Sequence, residues 1–214
     1  MMDEDRRAGV ADSPRTPPNR KLSYQEFLEW CDEDTRAEWV NGEVVVDSPA
    51  SLPHQDLSGF LHHLLDIYVQ QRDLGKVFAA LFQMKTGPDL PGREPDLLFV
   101  ARGHLNRLKK TYLDGPADLA IEISSAESWL RDTGEKFAEY QAGGVREYWR
   151  IDPDRREADF YQLGPRGRYQ PVDPDPDGWY TSPVLAGFRL NVSWLWADPL
   201  PKVLDTLREL GVVP

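Results

Sequence analysis

Apolar positions along this chain recur with two different periods, and the switches between them predict most of its elements. From residue 55 to about 72, Leu57, Phe60, Leu61, Leu64, Leu65 and Tyr68 fall at the spacing of one helix face, so an amphipathic helix is expected there. Residues 97–100 and 119–123 are short, unbroken apolar runs of the length and composition of buried strands. Ser23-Tyr24-Gln25-Glu26 is a capping-box pattern that opens a short helix to about residue 31. Residues 38–40 and 43–46 flank Asn41-Gly42, a strong signal for a two-residue hairpin turn. Residues 76–86 read as one further strand, 87–92 as turns, and 146–151 and 159–163 as strands. A helix over about 128–141 is stopped by Gly143-Gly144. Residues 164–178, with Asp173-Pro174-Asp175-Pro176-Asp177, read as a loop or edge connection; 188–196 ends the sheet, and 201–210 forms a last helix. Residues 1–20 are charged, carry Pro14, Pro17 and Pro18 and lack periodicity, which predicts a mobile arm before a single domain over 21–214.

The polar residues that interrupt the apolar runs change the picture. Arg93-Glu94-Pro95-Asp96 leads into one predicted strand, and Glu122 lies inside the other. An ionised carboxylate taken out of water requires a partner. Two acids on neighbouring strands can share one, and hard cations such as Mg²⁺ are commonly held by one or two carboxylates plus substrate phosphate. The bland readings stand beside this: Asp96 as a turn or strand cap after Pro95, Glu122 as the partner of a buried arginine. On the following helix, Asp132, Lys136 and Tyr140 are four apart and share a face. Ser124, not a lysine, stands two after Glu122 on the same strand face. Lys136 is therefore the candidate amine, with an exposed salt bridge to Asp132 as its alternative. His62 and His63 are adjacent on a helix and point apart, so they make no metal site.

Taken in order, Glu38-Trp39-Val40-Asn41-Gly42-Glu43-Val44, Ser48-Pro49 with His54, Glu94-Pro95-Asp96, Ile121-Glu122-Ile123-Ser124, Lys136 with Tyr140, and Gly144-Val145-Arg146-Glu147-Tyr148-Trp149 through Asp152-Pro153 resemble the Uma-type restriction-endonuclease family. That family is part of the PD-(D/E)xK nuclease superfamily, and the resemblance spans roughly residues 22–198. It implies a restriction-endonuclease-like α+β fold, with a curved mixed sheet flanked by helices. It also implies that Asp96 and Glu122 bind Mg²⁺ or Mn²⁺, that the usual lysine has moved to the next helix as Lys136, and that Glu38 points into the site. Residues 125–128 depart from the family's Ser-Pro-Ser type of turn. The mechanism expected on this basis places the ion on Asp96, Glu122 and the carbonyl of Ile123. Lys136 acts on the attacking water, and Ser124, Tyr140 and His54 orient the ligands; for His54 a phosphate contact or a helix-entry role is the alternative. The expected activity is a Mg²⁺-dependent endonuclease acting on DNA as a homodimer. The rival expectation is a catalytically silent nuclease fold serving as a binding or scaffolding module.

Acids outnumber bases 36 to 25 in 214 residues, a formal charge of −11, which argues against indiscriminate nucleic-acid binding. The densest basic cluster is Arg102, His104, Arg107, Lys109 and Lys110, readable also as a solvated face. A single cysteine, Cys31, excludes an intramolecular disulfide and suits a reducing compartment. No apolar run approaches the roughly 20 residues that span a bilayer, and the N-terminus lacks an apolar h-region. A cytoplasmic protein without membrane contact is expected. There is no internal repeat and no glycine-rich phosphate loop.

Overall fold

The computed structural model describes residues 16–31, 35–46, 50–124 and 134–214. The first helix, α1 (Tyr24–Trp30), opens with the expected capping box: Glu26 N donates to Ser23 Oγ at 3.2 Å and Ser23 N to Glu26 Oε2 at 2.8 Å. Strands β1 (Ala37–Val40) and β2 (Glu43–Val46) form the hairpin around Asn41 and Gly42, whose φ values of 51° and 92° are those a type I′ turn demands. Helix α2 (Leu52–Gln71) begins before its apolar period does, because Ser51 caps it and Pro53 suits its first turn.

The expected strand over 76–86 is instead two strands, β3 (Gly75–Ala79) and β4 (Gln83–Lys85), in different sheets. The break is at Leu81, which has φ 73°. Its amide donates to Glu94 Oε1 at 2.6 Å, and Ala80 N donates to the carbonyl of Asp96 at 2.9 Å. A buried carboxylate and a neighbouring strand end thus fix a corner in a stretch that has neither Gly nor Pro.

The remaining strands are β5 (Gly92–Arg93), β6 (Leu97–Ala101), β7 (Tyr112–Asp114), β8 (Leu119–Ile123), β9 (Glu147–Asp152), β10 (Glu157–Leu163), β11 (Tyr169–Pro171), β12 (Trp179–Thr181) and β13 (Arg189–Asn191). Helix α3 (Glu135–Gly143) ends at Gly144, left-handed at φ 85°, and α4 (Val203–Glu209) is the last helix. The start of the expected helix at residue 128 lies outside the described residues. Residues 164–178 carry β11, an edge strand on β10. The strand expected over 188–196 is only Arg189–Asn191, paired with β12, and a 3-10 turn follows at Val192–Trp196.

The described strands form three sheets. A six-stranded one runs β11-β10-β9-β8-β6-β3, a five-stranded one β2-β1-β5-β4-β7, and β12-β13 pair alone. Both larger sheets are mixed, since β8 with β9 and β4 with β7 are parallel pairs. Strand alternation gives the six-stranded sheet two apolar faces. On one, Leu97, Phe99, Ile121, Ile123 and Trp149 pack with Leu61, Leu64 and Tyr68 of α2, along with Tyr180 and Leu190. On the other, Leu98, Val100, Ala120 and Tyr148 pack with Tyr140 of α3 and with Met84 and Leu113 of the five-stranded sheet. The result is a mixed α+β fold with β8 near its middle. A smaller cluster of Leu22, Phe27 and Ala37 seats α1 against the hairpin.

Candidate active site

Strand register brings the two leading acids to neighbouring positions. β6 and β8 are antiparallel with Leu97 opposite Ile121, so one further step places Asp96 opposite Glu122. Leu119, Ile121 and Ile123 face α2, and alternation therefore turns Glu122 with Ala120 to the α3 side.

Helix α3 supplies the amine. Lys136 and Tyr140 are one turn apart and are its two buried residues. Lys136 Nζ donates to Glu122 Oε2 at 3.0 Å and lies 3.2 Å from Glu38 Oε1; Tyr140 Oη donates to Glu122 Oε1 at 2.6 Å. Glu38, fully buried on β1, also accepts from Arg93 Nη1 at 2.8 Å and from the amide of Glu94 at 3.1 Å. Burial alone would raise the Glu38 pKa, but Lys136, Arg93 and the Glu94 amide hold it below the ordinary value. Burial, with the charges of Glu122 and Glu38, pushes the Tyr140 phenol far up, so it serves as a donor. Arg93 Nε also reaches Glu139 Oε2 at 2.7 Å, which ties α3 to the hairpin sheet. Burial opposes the charge on Arg93, yet Glu139 and Glu38 outweigh it and raise its pKa further.

Asp96 is held from three directions. Its Oδ2 accepts from the amide of Ile123 at 2.8 Å; its Oδ1 accepts from Arg36 Nη2 at 2.6 Å and lies 3.2 Å from His54 Nε2. Burial would raise this carboxyl, but His54, Arg36 and the Ile123 amide more than offset it and hold it at about 2. Glu94, two residues earlier, has no such cation at bonding distance among the described residues. Burial pushes it up to about 7, against the Leu81 amide, Arg36 and Gln83, with the charge on Glu38 adding to the rise. Gln83 Nε2 joins it to the hairpin, donating to Glu94 Oε2 at 2.9 Å and to the Ala37 carbonyl at 2.7 Å.

Of the residues singled out from the sequence, Glu38, Glu122, Lys136 and Tyr140 form one bonded network, and Asp96 is tied to His54 and to the backbone beside Glu122. His54 is both the third residue of α2, its amide on the Ser51 hydroxyl at 3.4 Å, and a partner of Asp96. Ser124 is buried at the end of β8, with its amide on the Ile151 carbonyl at 2.7 Å. Asp132, Ser48, Pro49 and residues 125–128 lie outside the described residues. Among the described residues Glu122 meets a lysine and a tyrosine, and the buried arginine there, Arg93, pairs with Glu38. Arg36 and the electrostatic state of Glu94 are additions from the structure. No local pattern marks Arg36, a charged residue just outside β1.

The donor set suits a hard divalent ion: two carboxylates at facing positions, Asp96 fully ionised at neutral pH, and a side-chain cation already resting on each. Among the described residues no three His, Cys, Asp or Glu side chains converge as a complete cage. The basic cluster after β6 is largely neutralised: Arg102 pairs with Asp73, His104 with Asp118 and Lys109 with Asp114, while Arg107 donates to the Pro116 carbonyl. It reads as a solvated face. No helix among the described residues is long and apolar enough to cross a membrane. A cleft of about 850 Å³ between the start of α2 and residues 195–203 includes none of the site side chains.

Comparison with known proteins gives a family and a fold. The family model Uma2, described as "Putative restriction endonuclease", matches residues 24–193. Among solved structures, the chain is similar to "a putative nuclease belonging to DUF820" from Anabaena variabilis ATCC 29413. The TM-score is 0.66 at 18% identity, over 82% of this chain and 97% of that one, which is a likeness of fold. No curated protein matches.

Proposed function

Because the chain belongs to the Uma2 family, we propose that it is a Mg²⁺- or Mn²⁺-dependent endonuclease that hydrolyses nucleic-acid phosphodiester bonds, with DNA as its substrate. The observation that carries this reading is the amine of Lys136 lying 3.0 Å from Glu122 and 3.2 Å from Glu38, on the face toward which Glu122 turns opposite Asp96.

In this proposal Asp96, Glu122 and the carbonyl of Ile123 hold the ion. When bound, the ion lowers the pKa of a coordinated water and neutralises charge on the reacting phosphate. The chain's own groups do the rest. Lys136 donates to Glu122 and is ion-paired with Glu38, so its role is to orient the attacking water and to stabilise negative charge as it develops. Glu38 fixes that amine; its oxygens are engaged by Arg93, Lys136 and the Glu94 amide, which favours a positioning role over a second ion site. Tyr140 restrains one oxygen of Glu122, His54 orients Asp96, and Ser124 closes the end of β8. Duplex cleavage requires one site per strand, so the proposal extends to a two-fold homodimer. A reducing, cytoplasmic setting accords with the lone cysteine.

A second reading has its own support. Both oxygens of Asp96 and both of Glu122 already have protein partners, and the net charge of −11 disfavours nucleic acid. That is what a silent module serving as a scaffold would show. Plasmid, linear and single-stranded substrates incubated with Mg²⁺ separate the two. Cleavage is expected from the wild type and should fall by roughly 100-fold or more in Asp96→Ala and Lys136→Ala. Cleavage indifferent to both changes would refute the site, and no cleavage of any DNA or RNA would favour the scaffold.

A further inference from the structure

The two oxygens of Asp96 are not equivalent. Oδ2 is fixed by the amide of Ile123, a backbone group inside the central sheet. Among the described residues Oδ1 faces side chains from two different elements: Arg36, just before β1, at 2.6 Å, and His54, in the first turn of α2, at 3.2 Å. Oδ1 is therefore the oxygen whose partners are exchangeable side chains. His54 is poorly placed to yield, since its side chain is 11% exposed and sits on a helix anchored by eight buried residues. Arg36 is 27% exposed, lies outside the strand, and brings a permanent positive charge to the oxygen a cation would take.

We propose that Arg36 is the resident counter-ion of this site: its guanidinium and the divalent metal compete for Oδ1 of Asp96, so that metal binds only as Arg36 withdraws. Arg36 is then a positioning residue that holds Asp96 ordered without metal, and that sets the metal concentration at which the site loads. Such an exchange avoids leaving a buried carboxylate unpaired in either state. It also accounts for an Asp96 engaged at both oxygens, because one of those engagements is exchangeable. The inference rests on the metal-site reading of Asp96.

The test is Mn²⁺ binding at neutral pH, followed by the loss of free-ion electron paramagnetic resonance signal, and it needs no turnover. Asp96→Asn should abolish the specific site. Arg36→Ala and Arg36→Met, the second keeping the aliphatic stem, should bind Mn²⁺ about tenfold more tightly than wild type, since a charge-assisted hydrogen bond no longer has to be broken. Arg36→Lys, which retains the charge, should stay close to wild type. If Asp96→Asn loses binding but both neutral Arg36 variants bind Mn²⁺ no better than wild type, the competition is refuted while the metal site stands. If wild type shows no Mn²⁺ binding that depends on Asp96, the metal-site reading fails and this inference fails with it.

Discussion

Glu94 lies two residues from Asp96 and ends in the opposite electrostatic situation. Asp96 is held at about 2 by His54, Arg36 and an amide, while burial lifts Glu94 to about 7. The two shifts act on stability in opposite pH windows. The lowered Asp96 stabilises the fold above the ordinary carboxylate range, and that contribution is lost as pH falls from about 4 toward 2. The raised Glu94 costs nothing when protonated; its penalty grows as pH rises from the ordinary carboxylate range and is complete above about 7. With a folded pKa of about 7, ionising Glu94 in the fold costs on the order of 3 kcal/mol. Glu94→Gln should therefore lose less stability than wild type between pH 5 and pH 8, as read from urea midpoints; parallel losses would remove Glu94 as the source. The acids at this site were legible in the sequence because a carboxylate inside or beside an apolar run is conspicuous. Arg36 was not, because a charged residue at an element boundary is ordinary on any surface. Only the long-range contact to Asp96 gives it meaning.

At the scale of elements, the hairpin at Asn41-Gly42, α2, β6 and β8 were legible from local pattern, since periodicity and turn chemistry act over a few residues. The corner between β3 and β4 was not, because it is made by Glu94 catching the Leu81 amide from 13 residues away. Helix α3 depends on another contact that no local pattern reveals. A Cβ on Gly143 would lie 2.4 Å from both Cβ and Oγ1 of Thr86, so only glycine lets the helix end approach that closely. Gly143→Ala should thus cost about 1–3 kcal/mol by overpacking, although alanine is the better helix former. It should also slow the proposed cleavage, because the same helix carries Lys136 and Tyr140. Thr86→Gly in the Gly143→Ala background should recover part of both losses; an unchanged melting temperature in Gly143→Ala alone would show that the approach is not constraining.

For the molecule as a whole, a second buried acid joins parts that sequence order keeps apart. Glu147, at the start of β9, accepts from Trp149 Nε1 at 2.6 Å, Tyr180 Oη at 2.7 Å and Ser182 Oγ at 2.6 Å, fastening the small β12-β13 sheet to the large one. Burial raises its pKa above the ordinary value against those three donors and the Val184 amide. Glu147→Ala would strand three buried donors and should cost about 2–4 kcal/mol, whereas Tyr180→Phe, which removes one donor, should cost about 1 kcal/mol. Denaturant unfolding of the two variants checks the order, and equal losses would mean that the carboxylate is not the hub.

Glu38 belongs to the smaller of the two large sheets and Glu122 to the larger, so the Lys136 ammonium spans a seam between two separately hydrogen-bonded bodies. Any loosening along that seam would unseat the amine while each body kept its own ladder intact. Heated slowly, the protein should lose the proposed nuclease activity before its far-ultraviolet dichroism declines, with amide hydrogens of the hairpin exchanging ahead of those in β8.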